Sequence, residues 1–320
     1  GGKKMKKLLA FILAAVMTAS LCACGSSNSG TEGSTSAKGS SAAGGPVAAS
    51  DVKVGCIMIG DENEGYTEAH LKAVEEMKKN LGLSDDQVVI KTNIKEDEGC
   101  YDAAVDLAEQ GCNIVIANSF GHESYILQAA ADYPDVQFCH ATGYQAKSSG
   151  LSNMHNFFTR IYESRYLSGV VAGMKLNEMI KNGEVSKDKC KIGYVGAFPY
   201  AEVISGFTSF YLGVKSVCDS ATMEVKYTNS WASFDLEKEC AEQLIADGCV
   251  LISQHADTTG APTACEAKKV PCVGYNIDMI PTAPDAALTS ATINWGPYYT
   301  YAVQSVIDGT AIETDWAKGV

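Results

Sequence analysis

Several short segments of this chain place aromatic, amide and carboxylate side chains immediately after apolar runs. GDENEGY ends in Tyr66, NSFGHE supplies Asn118, Ser119 and Phe120, and GAFPYAE supplies Phe198 and Tyr200. NSWASFD supplies Trp231, QHADTT supplies His255 and Asp257, YNIDM supplies Asn276 and Asp278, and INWGPYY supplies Trp295. An aromatic ring stacks on a flat base with about 1–3 kcal/mol. Carboxylates and amides accept or donate charge-assisted bonds to ring N–H groups or sugar hydroxyls. The set therefore suits a flat, nitrogen-bearing, hydroxylated ligand. Lys and Arg do not cluster at these segments, which disfavours a phosphorylated or strongly anionic ligand. Each residue has a plainer alternative: lobe core for Phe120 and Phe198, a hinge plug for Trp295, an Asx-turn for Asp278, and orientation of neighbours for His255.

Catalytic chemistry has a weaker footing. The chain holds no GxxxxGK[ST], G-x-S-x-G, HExxH or strand-linked G-x-G-x-x-G pattern. Of its 5 His, His122 precedes Glu123 at a helix start, where an acid is favoured by the helix dipole. His70 and His155 have no partner at useful spacing. No Cys–His spacing fits zinc, so neither metal nor cofactor is expected, and the residues point to binding without turnover.

The elements that must position these residues show an internal echo. LAEQGCNIVIANSF from Leu107 is repeated by LIADGCVLISQHAD from Leu244, and KVGCIMIG from Lys53 by KIGYVGAF from Lys191. The offsets, 137 and 138 residues, are domain-sized. Between the echoes, short apolar runs alternate with helical patterns, the signature of βαβ units and parallel sheets. In such sheets ligands sit beyond the carboxyl ends of the strands. Two lobes facing each other would form a cleft lined by equivalent strand-end loops, NSFGHE from one and QHADTT from the other.

The N-terminus belongs to neither lobe. Lys3, Lys4, Lys6 and Lys7 precede an apolar run, and Leu21-Cys22-Ala23-Cys24 follows. Residues 5–23 read as a lipoprotein signal peptide, with Cys24 the lipidated residue, and 24–50, rich in Gly, Ser and Ala, as a flexible tether. Cleavage before Cys24 removes four Lys and no acid, taking the net charge from −13 to −17. That balance argues against nucleic acid as a partner. The ten Cys after Cys24 are scattered through strands and helices and read as small core residues rather than a disulfide framework. Residues 51–158 with about 296–320 are expected to form the first lobe, and 159–295 the second.

With these residues in view, the chain from Asp51 onward resembles the basic membrane protein family of ABC-transporter substrate-binding lipoproteins, which includes purine-nucleoside receptors. TRIYESRYLSGVVAG, IGYVGAFPYAEVISG, ISQHADTTGAP, VGYNIDM and INWGPYY carry the resemblance. It implies a type I periplasmic-binding-protein fold, two Rossmann-like lobes joined by three crossovers. It also implies hinge closure on a purine nucleoside or nucleobase, an ABC permease as membrane partner, and a monomer anchored outside the cytoplasmic membrane. Asp278 falls in the family's hydroxyl-binding motif, and Trp231 and Tyr66 at its aromatic positions. Asp257-Thr258-Thr259 stands where nucleoside receptors carry a Gly-rich loop, which keeps a free base open as ligand. The family continues past the point matching Val320, so a third crossover is expected beyond it. A sensor lipoprotein serving a signalling receptor and a nucleoside hydrolase are the alternatives.

Overall fold

A computed structural model describes residues 45–317. Cys24, the signal segment and the tether up to residue 44 lie outside them. Within the described residues the chain forms two all-parallel sheets. The first contains β1 (Val54–Ile57), β2 (Val88–Lys91), β3 (Ile114–Ala117), β4 (Gln137–Ala141), β5 (Met154–Phe158) and β11 (Asp315–Ala317), in the order β11-β5-β4-β3-β1-β2. The second contains β6 (Lys191–Gly196), β7 (Thr222–Tyr227), β8 (Leu251–His255), β9 (Cys272–Asn276) and β10 (Ala287–Thr292), in the order β10-β9-β8-β6-β7.

Helices cover both faces of each sheet. On the first, α1 (Gly65–Leu81) and α9 (Gly296–Asp308) share one apolar layer, and α2 (Glu98–Glu109) and α3 (Glu123–Asp132) the other. On the second, α5 (Ile161–Lys181) and α6 (Ala201–Val217) face one layer, and α7 (Phe234–Ala246) and α8 (Gly260–Lys268) the other. A single turn, α4 (Ala146–Ser149), sits between β4 and β5. Central strands enclosed on both sides are mostly apolar, and β1, β3, β8 and β9 are buried at every position, including the polar Ser253, Gln254, His255 and Asn276 at the carboxyl ends of β8 and β9. The architecture is the type I periplasmic-binding fold.

The sequence echoes are the two ends of one packing contact, made once per sheet. A Cβ on Gly55 of β1 would lie 2.9 Å from Leu107 of α2, and one on Gly193 of β6 would lie 2.9 Å from Leu244 of α7. Only glycine lets helix and central strand approach this closely. After each leucine the chain turns through a left-handed glycine, Gly111 (φ +85°) or Gly248 (φ +89°). Cys112 and Cys249 then donate their amides back to the Leu107 and Leu244 carbonyls. All ten cysteines after Cys24 are free and buried.

The chain passes from the first sheet to the second through α5 and returns between β10 and α9. Strand β11, which sequence patterning did not anticipate, closes the edge of the first sheet against β5.

Candidate functional site

The carboxyl ends of the two sheets enclose a cavity of about 350 Å3. The first sheet and its loops contribute Ile59, Tyr66, Phe120, Thr142, Tyr144 and Phe158. The second contributes Tyr200, Ala201, Glu202, Trp231, His255, Asp257 and Tyr275. None of these lining residues is Lys or Arg.

Aromatic rings form the outer wall. Phe120 meets Tyr200 across the cleft with ring centroids 5.5 Å apart, and Tyr144 lies 6.3 Å from Phe120 on the same rim. Tyr200 is stacked on Phe198 at 5.0 Å and an interplanar angle of 10°, and Phe198 meets Trp231 edge-on at 5.1 Å. Stacked and edge-to-face geometry is what ring quadrupoles favour.

The loops bearing these rings are fastened by carboxylates that accept hydrogen bonds from them, Glu96 at the surface and Glu123 and Glu237 buried. Glu96 accepts from Ser119 Oγ at 2.6 Å and Gly121 N at 2.7 Å, setting the Phe120 loop. Glu123 accepts from Tyr144 N and Gln145 N, each at 2.7 Å. Glu237 accepts from Ser233 N at 3.2 Å and Thr258 N at 3.1 Å, tying α7 to the loop after β8. The price of this cleft geometry is visible in the backbone. Thr142, at the end of β4, and Asn276, at the end of β9, have φ of +67° and +64°. Asn tolerates that region, but a β-branched Thr is strained there, as residues at functional sites often are.

Polar groups occupy the interior. Tyr66 donates its hydroxyl to the Asn118 carbonyl at 2.5 Å, and Asn118 Oδ1 accepts from Ile59 N at 2.9 Å. Asp257, 7% exposed, accepts from Asn276 Nδ2 at 2.6 Å. Burial, then the nearby Glu64 and Glu237 charges, lift the Asp257 carboxyl well above the usual range, which favours its protonated form. His255 Nε2 lies 2.9 Å from Glu202 Oε2. Burial would raise Glu202, but His255 and then Arg165 outweigh it and hold the carboxyl low. Burial drives His255 below the ordinary imidazole value against the pull of Glu202. These two directions compete for one proton. The permanent charge of Arg165 favours a Glu202 carboxylate accepting from a neutral His255. Arg165 is itself fully buried, donates to the Gln254 carbonyl at 2.7 Å, and stacks 3.7 Å over the Tyr275 ring. His255 Nδ1 has no hydrogen-bond partner, so no hydroxyl or thiol is poised on it as a nucleophile would be.

Of the residues singled out from sequence, Tyr66, Phe120, Tyr200, Trp231, His255 and Asp257 line the cavity. Asn118, Ser119, Phe198 and Asn276 stand directly behind them and fix their loops. Two lie elsewhere. Asp278 is exposed and accepts from Ile280 N at 3.0 Å, an Asx-turn outside the cavity. Trp295 is 1% exposed and stacks on His70 at 4.4 Å within the core of the first sheet. Sequence reasoning missed Glu202, Tyr275, Thr142 and Tyr144 in the lining, and Arg165 behind it. Glu202 and Tyr275 lie within segments already singled out, at the end of GAFPYAE and the start of YNIDM. Arg165 sits in mid-helix and gave no signal of burial. Among the described residues no group of three or more His, Cys, Asp or Glu is placed to hold a metal.

The family described as ABC transporter substrate-binding protein PnrA-like matches residues 52–318. A purine-binding protein of Brucella abortus is 34% identical over 260 residues, covering 81% of this chain and 70% of that protein. A Haloferax volcanii protein, provisionally named an ABC transporter glucose-binding protein, is 29% identical, covering 83% of this chain and 64% of its own length. A solute-binding protein of an Aeropyrum pernix ABC transporter superposes with a TM-score of 0.69 at 14% identity, over 83% of this chain and 74% of that one.

Proposed function

The chain belongs to the PnrA-like family of ABC transporter substrate-binding proteins, and from that premise we propose that its cavity takes a purine, as nucleobase or nucleoside, for import. A protein of this family is a binding component, not an enzyme. It implies a small-molecule ligand, a permease partner in the membrane, and a place for the binding protein outside the cytoplasm. Among the described residues no helix is long and apolar enough to cross a membrane.

The observation that carries the purine reading is the wall of Phe120, Tyr200 and Trp231 over an interior of Asp257, Glu202 and Tyr275. A planar heterocycle gains about 1–3 kcal/mol per stacked ring. Its ring nitrogens and N–H groups meet the Asp257 and Glu202 carboxyls, the first shifted toward its protonated form and the second toward its ionised form. A hexose has hydroxyls on every edge and would leave several unpaired against this mostly aromatic lining. The cavity lies at the small end of ligand sites, which run from about 300 to 1,000 Å3. Without lysine or arginine in the lining, phosphate has no counter-charge.

Titration calorimetry with adenine, hypoxanthine, adenosine, inosine and glucose tests this reading. Saturable heat with at least one purine and none with glucose is expected. Glucose binding without purine binding would overturn it. The base and nucleoside arms separate the two purine forms.

We further propose lipid anchoring at Cys24, which the LCAC sequence after a basic, apolar leader supports. A fatty-acid probe should label the full-length chain and fail to label Cys24→Ser. Unlabelled wild type released to the medium refutes the anchor and leaves the ligand reading intact.

A further inference from the structure

Residue Gly65 opens α1, and the first three amides of that helix have no partner inside it. Two are satisfied locally: Glu64 caps the helix, its carboxyl accepting from Tyr66 N at 2.5 Å and Thr67 N at 2.9 Å. The third, Gly65 N, reaches out of its own lobe and donates to the Asp257 carbonyl at 3.0 Å. That bond joins the first sheet's leading helix to the loop after β8 on the second sheet. A Cβ on Gly65 would lie 3.0 Å from the Asp257 carbonyl oxygen and 3.4 Å from Ile277. That contact is tight enough that one side must give, and its nearest atom is backbone.

The other groups of Asp257 bear on the cavity. Its side chain lines it, held by Asn276 Nδ2 at 2.6 Å, and its amide donates to the Trp231 carbonyl at 2.9 Å. One residue thus touches the ligand space, the loop of a wall aromatic and the opposite lobe.

We propose that Asp257 transmits ligand occupancy to lobe closure: its carboxyl holds the ligand, its carbonyl is latched by Gly65 N, and Gly65 is a positioning residue that acts on affinity without touching the ligand. A ligand held by the carboxyl fixes the loop, and a fixed loop presents the carbonyl to Gly65. The coupling is reciprocal, so a closed latch holds the loop for the ligand. The high affinity of the Asp257 carboxyl for its proton, set by burial and by Glu64, Glu237 and Glu202 around it, supports a neutral contact between this residue and the ligand.

The inference rests on the purine reading, and adenine is the probe. Stopped-flow tryptophan fluorescence gives rates and affinity for wild type, Gly65→Ala, Asp257→Ala, Asp257→Asn and the Gly65→Ala/Asp257→Ala double variant. Gly65→Ala should weaken binding about three- to tenfold, the worth of one backbone hydrogen bond, mainly through faster dissociation. Asp257→Ala should weaken it more than about tenfold, and Asp257→Asn, which keeps a donor, should recover part of that loss. In the double variant the Gly65 change should add less than about twofold, because two parts of one coupled unit are not additive. Additive losses, or a Gly65→Ala protein at full affinity, would overturn the latch. Gly65→Pro deletes the N–H at a helix position that accepts proline and repeats the test should alanine disturb folding. If wild type binds no purine, the purine reading fails. The latch is then judged on ligand-free protein by small-angle scattering, where Gly65→Ala must enlarge the radius of gyration and an unchanged radius refutes it.

Discussion

Replacing Glu237 by glutamine should stabilise this protein at neutral pH and leave it unchanged in acid. Glu237 is fully buried on α7 and accepts backbone N–H bonds from Ser233 and Thr258. Burial, the largest influence, outweighs those bonds and lifts its carboxyl from 4.5 to about 7. In the unfolded chain the same group releases its proton near the ordinary glutamate value. Between about pH 4.5 and pH 7 the native state therefore binds more protons than the unfolded state, and stability falls as pH rises through that window. The full difference is about 3 kcal/mol. Glutamine resembles the protonated acid, keeps an oxygen to accept from the two amides, and has no proton to lose. Buried His140 and His155, both lowered to about 4, act in the opposite sense, adding stability as pH rises toward their unfolded value. They are present in both proteins and cancel from the difference. Urea unfolding followed by fluorescence of the three tryptophans, at intervals from pH 4.5 to 8, gives the two curves. They should coincide near pH 4.5 and separate to about 3 kcal/mol in favour of Glu237→Gln by pH 8. Parallel curves, or a wild type that gains on the variant as pH rises, would show that Glu237 is ionised on its backbone donors and that burial does not govern it.

Other substitutions separate the cavity from its support. Trp231→Ala should weaken purine binding by roughly tenfold in calorimetry, since it removes one wall of the slot, with little change in melting temperature. Asp278→Ala should change purine affinity less than about twofold, because its carboxylate closes an exposed turn and such surface changes stay within about 0.5 kcal/mol. Trp295→Ala should cost about 3–5 kcal/mol of stability, read as a melting temperature lower by roughly 10 °C, because it empties the space between His70 and Phe157. Gly169→Ala should destabilise by about 1–3 kcal/mol: its Cβ would stand 2.0 Å from the Phe210 carbonyl oxygen, and α5 and α6 must part to admit it.

What the sequence determined by itself was whatever depends on local period and local repetition. Alternating apolar runs and helical stretches marked ten of the eleven strands among the described residues, because a strand buried on both faces is mostly apolar and a helix on a sheet is amphipathic. β11 escaped because three residues with only Trp316 buried carry no period. The echoed Gly-Cys segments announced two similar lobes, since the Gly55–Leu107 and Gly193–Leu244 contacts each demand the same residues. Aromatics at strand ends were legible as cleft wall because parallel sheets put their carboxyl ends at the ligand. Only the tertiary structure decided how the acids divide. Glu96, Glu123 and Glu237 are consumed by backbone amides of neighbouring loops, and Asp278 by its own turn. Asp257 and Glu202 remain for the cavity, their carboxyls shifted in opposite directions by what is buried beside each. The tertiary structure likewise sent Trp295 into the core and Arg165 under Tyr275. A carboxylate, an indole or a guanidinium reads the same in sequence whether it faces solvent, ligand or core. Its role follows from the groups within a few ångströms, and those mostly come from other segments of the chain, about twenty residues away for Glu123 and Tyr144 and more than two hundred for Trp295 and His70.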